Sequence, residues 1–121
     1  MRLEDNYYEL ISMHSDGMNG TFHMALRREC EVYRGHFPGN PVCPGVCNIQ
    51  TIKECAERLT GKRLRIDSIR RCRLTAVLTP ASSPELDVTV HLLPTETGYA
   101  ITATVSDMKQ VYMEYKGEMT A

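Results

Sequence analysis

Residues 44–61 of this 121-residue chain read PGVCNIQTIKECAERLTG, and this stretch decides the fold. The pair Pro44-Gly45 is typical of a helix start, and Gly61 is placed to end the helix. Apolar residues recur between them at helical spacing as far as Leu59, which predicts one helix. The face that we expect to be buried consists of Val46, Ile49, Ile52 and Ala56. The residues expected toward solvent are Lys53, Glu57 and Arg58.

The sequence before this helix predicts a β-hairpin. Two segments, Tyr7 to Met13 and Thr21 to Tyr33, are rich in β-branched, aromatic and apolar residues. Asp16-Gly17 and Asn19-Gly20 separate them, and both pairs are hairpin turn signals. We therefore expect two antiparallel strands before the helix.

The sequence after the helix changes to a period of two, which is typical of strands. Apolar residues alternate in four runs, which are Leu64 to Ile66, Leu74 to Leu78, Leu86 to Leu92 and Ile101 to Val105. A last strand is expected from Gln110 to Met119. The spacing Ile66-x-x-Ile69 breaks the alternation by one residue and marks either a bulge or a strand end. The total is two strands, one helix and three or four further strands.

Length and element order predict one α+β domain spanning residues 1–121. Because one helix must cover an antiparallel sheet, the sheet is expected to curl around the helix so that both bury their apolar surfaces. The other face and the edges of the sheet would remain exposed in a monomer. We therefore expect a homodimer, or a higher oligomer of dimers, formed by sheet extension or packing.

The composition is that of an ordinary globular domain, with 42% hydrophobic residues, 24% charged residues and a net charge of −1. A nucleic-acid-binding domain usually carries a strong basic excess, so no nucleic-acid partner is expected. No apolar run is long enough to span a membrane and no signal peptide is recognisable, so we expect a cytoplasmic protein without a membrane partner. The five cysteines lack the paired spacing of a zinc site and are expected to be reduced thiols without a metal.

Residues 35–56, GHFPGNPVCPGVCNIQTIKECA, hold the candidate chemistry. His36 lies in a proline-rich loop, and imidazole is the side chain best suited to move a proton near neutral pH. Gly45 lies at the helix start, where backbone N–H groups without helical partners can bind a ligand oxygen. Gln50 and Glu54 follow on the helix, about one turn apart. Each feature alone is also common in structural roles, and only the combined spacing indicates a site.

The run from His36 to Val46, HFPGNPVCPGV, resembles the signature of the 3-hydroxyacyl-acyl carrier protein dehydratases of fatty-acid synthesis. The resemblance implies a hot-dog fold, one long central helix wrapped by a curled antiparallel β-sheet. It also implies a β-elimination, in which His36 takes a proton from C2 of the acyl chain and an acid expels the C3 hydroxyl as water. The backbone N–H of Gly45 would hold the thioester carbonyl, and Phe37 and Val46 of the same motif would contact the substrate. The implied substrate is an acyl carrier protein or coenzyme A thioester, and no metal or redox cofactor is implied.

The sequence departs from the family pattern at Gln50. In the family, a Glu or Asp fourteen residues after the histidine supplies the acid from the partner subunit, and Gln50 occupies that position. An amide can orient a hydroxyl group or water but cannot donate a proton as a carboxylic acid does. Three interpretations stay open: Glu54 supplies the carboxyl group, His36 acts as base and then as acid, or a different subunit supplies the acid in a heterodimer.

Two other functions stay open beside the dehydratase. Gln50 favours a non-catalytic acyl-binding or scaffold subunit paired with an active homologue, and hot-dog folds also host thioesterases. Cys43 and Cys47 are either reactive thiols near the helix start or core residues, and core packing is favoured. A basic run after the helix is either a docking surface for an acidic carrier protein or a set of outward-facing strand residues. It consists of Lys62, Arg63, Arg65, Arg70, Arg71 and Arg73.

Overall fold

The structure, a computed structural model, describes residues 2–31, 43–81 and 83–121. The elements in these ranges are β1 (Tyr8–Asp16), β2 (Asn19–Leu26), α1 (Gly45–Thr60), β3 (Arg65–Leu74), β4 (Glu85–Pro94), β5 (Gly98–Ser106) and β6 (Val111–Thr120). The strands form one antiparallel sheet in the order β1-β2-β4-β5-β6-β3, and α1 packs against β2, β3 and β4. The predicted α+β arrangement, with four strands after the helix, is confirmed.

The ends of α1 are confirmed, but its buried face is rotated from the predicted one. Gly61, at φ 70°, ends the helix, and its N–H donates to Glu57 O. Ile52 and Ala56 are fully buried, whereas Val46 is 66% exposed and was wrongly expected in the core. The buried face instead includes three polar residues, Asn48, Thr51 and Glu54. They can be buried because each forms hydrogen bonds inside the protein, which offsets the cost of removing it from water.

The hairpin of β1 and β2 is confirmed, with Gly17 in the left-handed region (φ 62°) where the chain turns. The predicted second strand was too long, since β2 ends at Leu26 instead of running to Tyr33. Three consecutive charged residues at 27–29 interrupt the apolar alternation, and Cys30 N donates to Arg27 O in a turn. Residues 32 and 33 lie outside the described ranges.

The break in alternation between Ile66 and Ile69 is a bulge and not a strand end. β3 continues through it, and its register against β6 shifts between Ile66 and Ser68 and again between Ile69 and Arg71. The strand predicted from Leu74 to Leu78 was wrong, because β3 already ends at Leu74. Beyond it, Leu78 O accepts a hydrogen bond from Cys43 N, so the chain leaves the sheet to pair with the segment before α1.

The two edge strands of the sheet differ from its centre. β4, β5 and β6 bury alternate residues in the core, among them Val90, Ile101 and Tyr115. β3 is exposed on both faces, and Ile66, Ile69 and Leu74 are 36%, 48% and 63% exposed. Within the described ranges no helix has the length and apolar character needed to cross a membrane.

Candidate functional site

The structure describes four of the six residues singled out in the sequence. His36 and Phe37 lie outside the described residues. The other four, all on α1, are Gly45, Val46, Gln50 and Glu54. The first pair forms the start of the helix, and the second pair is joined by a hydrogen bond one turn further on.

The start of α1 has space beside Gly45 within the described residues. By helix geometry the N–H groups of Gly45 and Val46 have no acceptor inside the helix, whereas Cys47 N turns back to Pro44 O at 3.1 Å. Among the described residues, a Cβ at Gly45 would meet nothing nearer than Leu74 Cδ1, at 3.9 Å. These N–H groups lie at the positive end of the helix dipole, which favours binding of a ligand oxygen.

A mainly apolar cavity of about 360 Å³ adjoins this helix start. It is lined by Cys43, Leu74 and Val77 on the apolar side, and Asn48 and Tyr112 supply polar groups. Asn48 Oδ1 accepts a hydrogen bond from the Tyr7 hydroxyl at 2.8 Å, which holds the amide in place. An apolar space with a few fixed polar groups is suited to a chain-like organic ligand.

Tyr112 is fixed from outside this cavity by Asp107. Its hydroxyl donates to Asp107 Oδ2 at 2.5 Å and lies 2.5 Å from Ser83 Oγ. Asp107 also accepts from Lys109 N, Gln110 N and Ser83 Oγ. The hydrogen bond from Tyr112, followed by those from the backbone, lowers the pKa of Asp107 to about 2. The wall of the cavity at Tyr112 is therefore rigidly positioned.

Glu54 is 3% exposed and accepts hydrogen bonds from four donors. The donors are Leu3 N at 2.7 Å, Glu4 N at 2.9 Å, the Tyr8 hydroxyl at 3.0 Å and Gln50 Nε2 at 3.0 Å. Burial, together with nearby negative charge that includes Glu54, raises the pKa of Tyr8 and keeps its hydroxyl a donor. Glu54 therefore links the N-terminal segment to α1. The same hydrogen bonds occupy both of its carboxylate oxygens.

Gln50 is half-buried, and its orientation is set by Glu54. Because Nε2 donates to Glu54, the carbonyl oxygen Oε1 lies on the opposite side of the amide. Gln50 also lines a second cavity, of about 550 Å³, together with Arg2, Lys53 and Arg63. In contrast to the cavity at the helix start, this one is lined mostly by polar and charged groups.

The two cavities adjoin different sides of α1. Asn48 lines the apolar cavity and Gln50 the polar one, and residues two apart on a helix point roughly 200° away from each other. Within one subunit the structure thus brings Gln50 to Glu54, but it does not bring Gln50 to the cavity beside Gly45. No signal in the sequence marked Tyr112 or Arg2 as lining residues. Asn48 could have been noticed as a polar residue beside buried helical positions.

Cys43 and Cys47 are both buried. Burial, followed by the neighbouring thiols of Cys30 and Cys43, raises the pKa of Cys47. A raised pKa disfavours the reactive thiolate, in keeping with the core-packing interpretation. In the described part of the chain, no three His, Cys, Asp or Glu side chains are grouped to hold a metal.

The basic run is divided by its surroundings. Arg70 pairs with Glu118 at 2.6 Å, and Lys62 lies over the Tyr99 ring at 5.5 Å from the centroid. Arg63 and Arg65 instead line the polar cavity. These basic residues are therefore not a uniform surface, because two of them converge on a concave site.

Comparison with known proteins adds three findings. Residues 12–113 match the model of the family described as ApeI-like, ApeI dehydratase. The chain is 30% identical over 88 residues to the 3-hydroxyacyl-acyl-carrier-protein dehydratase FabZ of Lactococcus lactis subsp. lactis, covering 67% of this chain and 58% of that protein. It is 34% identical over 68 residues to FabZ of Lactobacillus helveticus, covering 50% and 46%. The chain thus spans about half the length of these curated relatives.

Solved structures show the same fold. The dehydratase heterocomplex ApeI:P from Xenorhabdus doucetiae matches with a TM-score of 0.80 and 20% identity, covering 93% of this chain and 97% of that chain. An uncharacterized protein from Erwinia carotovora subsp. atroseptica matches with a TM-score of 0.69 and 14% identity, covering 93% and 95%. The hot-dog fold that the signature implied is confirmed.

Proposed function

The chain belongs to the ApeI-like dehydratase family, and on that premise we propose that it is a lyase that dehydrates a 3-hydroxyacyl thioester. His36 takes the proton from C2, and the resulting electron pair forms the C2–C3 double bond as the C3–O bond breaks. The hydroxyl leaves as water once it is protonated, and the product is a trans-2-enoyl thioester. The observation that carries the proposal is the run His36 to Val46, whose last residues form a helix start beside an apolar cavity.

In this proposal the helix start stabilises the charge that develops on the thioester oxygen. The N–H groups of Gly45 and Val46 have no helical acceptor, and they lie where the helix dipole favours negative charge. Donors fixed in this way stabilise an enolate-like oxygen without reorganising during the reaction. The adjoining cavity, with Leu74 and Val77 in its wall, would take the acyl chain.

The acid step is assigned to His36, which gives the departing hydroxyl the proton that it took from C2. Glu54 is a poor candidate for this step, because four donors already occupy its oxygens and three of them hold the N-terminal segment. Gln50, oriented by Glu54, would position a substrate hydroxyl or water by hydrogen bonding.

We also propose a homodimer formed along β3. This edge strand exposes both faces and three apolar side chains, which is the surface that an added strand would cover. Gly45 and Gln50 adjoin different cavities of one subunit, which favours a site completed across a two-fold interface. Acyl carrier protein or coenzyme A is the proposed thioester carrier, and the cytoplasm is the proposed location.

A non-catalytic subunit is the second candidate, and Gln50 is the observation that favours it. In that case the chain would bind an acyl group and depend on a homologue that carries the acid. The matching structure from Xenorhabdus doucetiae is a dehydratase heterocomplex, which supports testing this chain for a second subunit.

The experiment is to mix the purified protein with a 3-hydroxyacyl thioester and follow enoyl absorbance. We expect dehydration that falls at least about 100-fold in His36→Ala, because a general base contributes that much or more. His14→Ala, which changes an exposed histidine of β1, serves as the matched control and should keep full activity. Unchanged turnover in His36→Ala would refute the mechanism, and release of free thiol would indicate a thioesterase. Absence of turnover that Gln50→Glu restores would favour the non-catalytic subunit.

A further inference from the structure

Asn48 is a buried amide of which the protein holds only the oxygen. The residue is 5% exposed and lines the apolar cavity at the start of α1. Its Oδ1 accepts a hydrogen bond from the Tyr7 hydroxyl at 2.8 Å, which turns Nδ2 away from Tyr7. Within the described ranges no acceptor is hydrogen-bonded to Nδ2. Nδ2 is also not sealed from accessible space, since the Tyr115 hydroxyl is the atom there that is both sealed and unpaired.

The two hydroxyl groups in the described wall of this cavity already donate to the protein. Thr75 Oγ1 donates to Val111 O at 2.6 Å, and the Tyr112 hydroxyl donates to Asp107 Oδ2 at 2.5 Å. The other described side chains of the wall are aliphatic or carry a thiol. The amide of Asn48 is therefore the strong side-chain donor that this part of the chain offers to a ligand in the cavity.

A donor of this kind discriminates between acyl chains. Water can bind the two N–H groups of Nδ2 while the cavity is empty, but a chain that fills the cavity displaces that water. A plain hydrocarbon chain then leaves the N–H groups unpaired in an apolar site, which costs free energy. A chain that carries an oxygen at the right place pairs with them instead. The cavity should therefore prefer an oxygen-bearing chain over a hydrocarbon chain of the same length.

We propose that Asn48 is a specificity-determining residue whose Nδ2 donates a hydrogen bond to an oxygen atom of the substrate's acyl chain. The inference rests on the proposed function, since it names the class of acyl group that the cavity selects. The C3 hydroxyl is one source of this oxygen, because Asn48 lies three residues beyond Gly45, roughly 4.5 Å along the helix axis. C3 is two carbons from the thioester carbonyl that Gly45 N–H would bind. An oxygen substituent further along the chain is the other source.

The test measures binding by calorimetry to His36→Ala, so that turnover does not change the ligand. The ligands are pantetheine thioesters of one chain length: a saturated acyl group, the 3-hydroxyacyl group, and a set with a single hydroxyl at each later carbon. We expect one hydroxylated ligand to bind about tenfold more tightly than the saturated one, since an unpaired buried donor costs that much. Preference for the 3-hydroxyacyl ligand assigns the oxygen to C3, and preference for another assigns it to that carbon. Equal affinities, tightest binding of the saturated ligand, or no binding at all would overturn the proposal.

Variants made in the same His36→Ala background connect the preference to the amide. Asn48→Leu should lose the roughly tenfold preference and bind the saturated ligand at least as tightly. The double variant Tyr7→Phe, Asn48→Leu should behave in the same way, and it removes both partners of the buried hydrogen bond, so that no unpaired hydroxyl destabilises the fold. Thr51→Val is the matched control, because it removes a buried hydroxyl of α1 that bonds back to Cys47 O, and it should keep the preference. A preference that survives in either Asn48 variant would overturn the proposal.

The outcome is separate from that of the dehydratase assay, because binding is measured without turnover. A wild type that dehydrates no substrate, together with a preference for a hydroxylated ligand that Asn48→Leu abolishes, would refute the proposed activity and support this inference. A wild type that dehydrates its substrate but shows no such preference would do the reverse.

Discussion

Two carboxylates of the chain accept hydrogen bonds from the same kinds of donor group. They are Glu54 on α1 and Asp107 between β5 and β6. Each binds two backbone N–H groups, one tyrosine hydroxyl and one further side chain. The backbone and tyrosine donors of Glu54 lie 46 to 51 residues away along the chain, whereas those of Asp107 lie two to five residues away. The same chemistry therefore makes a tertiary anchor in one place and closes a turn in the other.

The largest effect is expected for Glu54→Ala. The substitution leaves the N–H of Leu3, the hydroxyl of Tyr8 and the amide of Gln50 without their acceptor in a buried site, and each unsatisfied group costs free energy. We expect the free energy of unfolding to fall by roughly 3 kcal/mol or more. Urea unfolding followed by circular dichroism measures it, with Asp107→Ala as the matched variant. A larger loss of unfolding free energy in Asp107→Ala than in Glu54→Ala would contradict the idea that the long-range contacts of Glu54 contribute more than the local contacts of Asp107.

Gln50→Glu should have the next largest effect, because it places a second carboxyl group about 3.0 Å from Glu54. Two carboxylates so close share a proton, so the pKa of one of them is raised in the folded state. A raised pKa adds stability below the unfolded value, and that stability is lost as the pH rises through the folded value. Relative to wild type, the variant should therefore lose about 2 kcal/mol at pH 8 and progressively less toward pH 5.

The control for this prediction is Gln50→Glu combined with Glu54→Gln, which restores one amide and one carboxylate. The pH-dependent difference from wild type should vanish in the double variant, as unfolding curves at several pH values can show. A pH-independent loss in the single variant would contradict proton sharing. The shared proton also gives Gln50→Glu a neutral carboxylic acid toward pH 5, which is the form that the dehydration needs if the variant gains activity.

Removing one donor from each carboxylate sharpens the comparison further. Tyr8→Phe takes away a buried hydrogen bond to Glu54 and should cost about 1.5 kcal/mol, as is usual for a bond to a charged acceptor. Tyr112→Phe should cost less, because Asp107 is more accessible to water than Glu54 is. Unfolding in urea compares the two variants directly. Equal losses of unfolding free energy would show that the separation of donor and acceptor along the chain does not matter here.

How much could be predicted from the sequence depends on the same difference, namely whether the interacting residues are close together or far apart along the chain. α1 and the first hairpin were predicted because their signals are local, at Pro44-Gly45, Gly61 and Asp16-Gly17. The bulge in β3 could not be told from a strand end, since it depends on pairing with β6 about fifty residues later. The candidate residues on the helix were found through the motif.

The surroundings of Glu54 could not be predicted. A carboxylate on a helix is usually exposed, and its burial depends on donors at Leu3, Glu4 and Tyr8 that no helical period indicates. Val46 was wrongly predicted to be buried for a related reason. The buried face of α1 includes polar residues that have hydrogen-bond partners inside the protein, and Val46 lies outside that face. Long-range hydrogen bonds, which leave no pattern in the sequence, thus account for the errors on α1.

The smallest effect is expected for Asp107→Asn, and it should depend on pH. The pKa of Asp107 falls from 3.8 to about 2 on folding, chiefly because of the hydrogen bond from Tyr112. A lowered pKa adds stability above the unfolded value, and this stability is lost as the pH falls through the folded value. The wild type should therefore exceed the variant in stability above about pH 5, and the difference should close between about pH 4 and 2. Acid unfolding curves of the two proteins test this, and a difference that persists at pH 2 would mean that Asp107 acts through its shape and not through its charge.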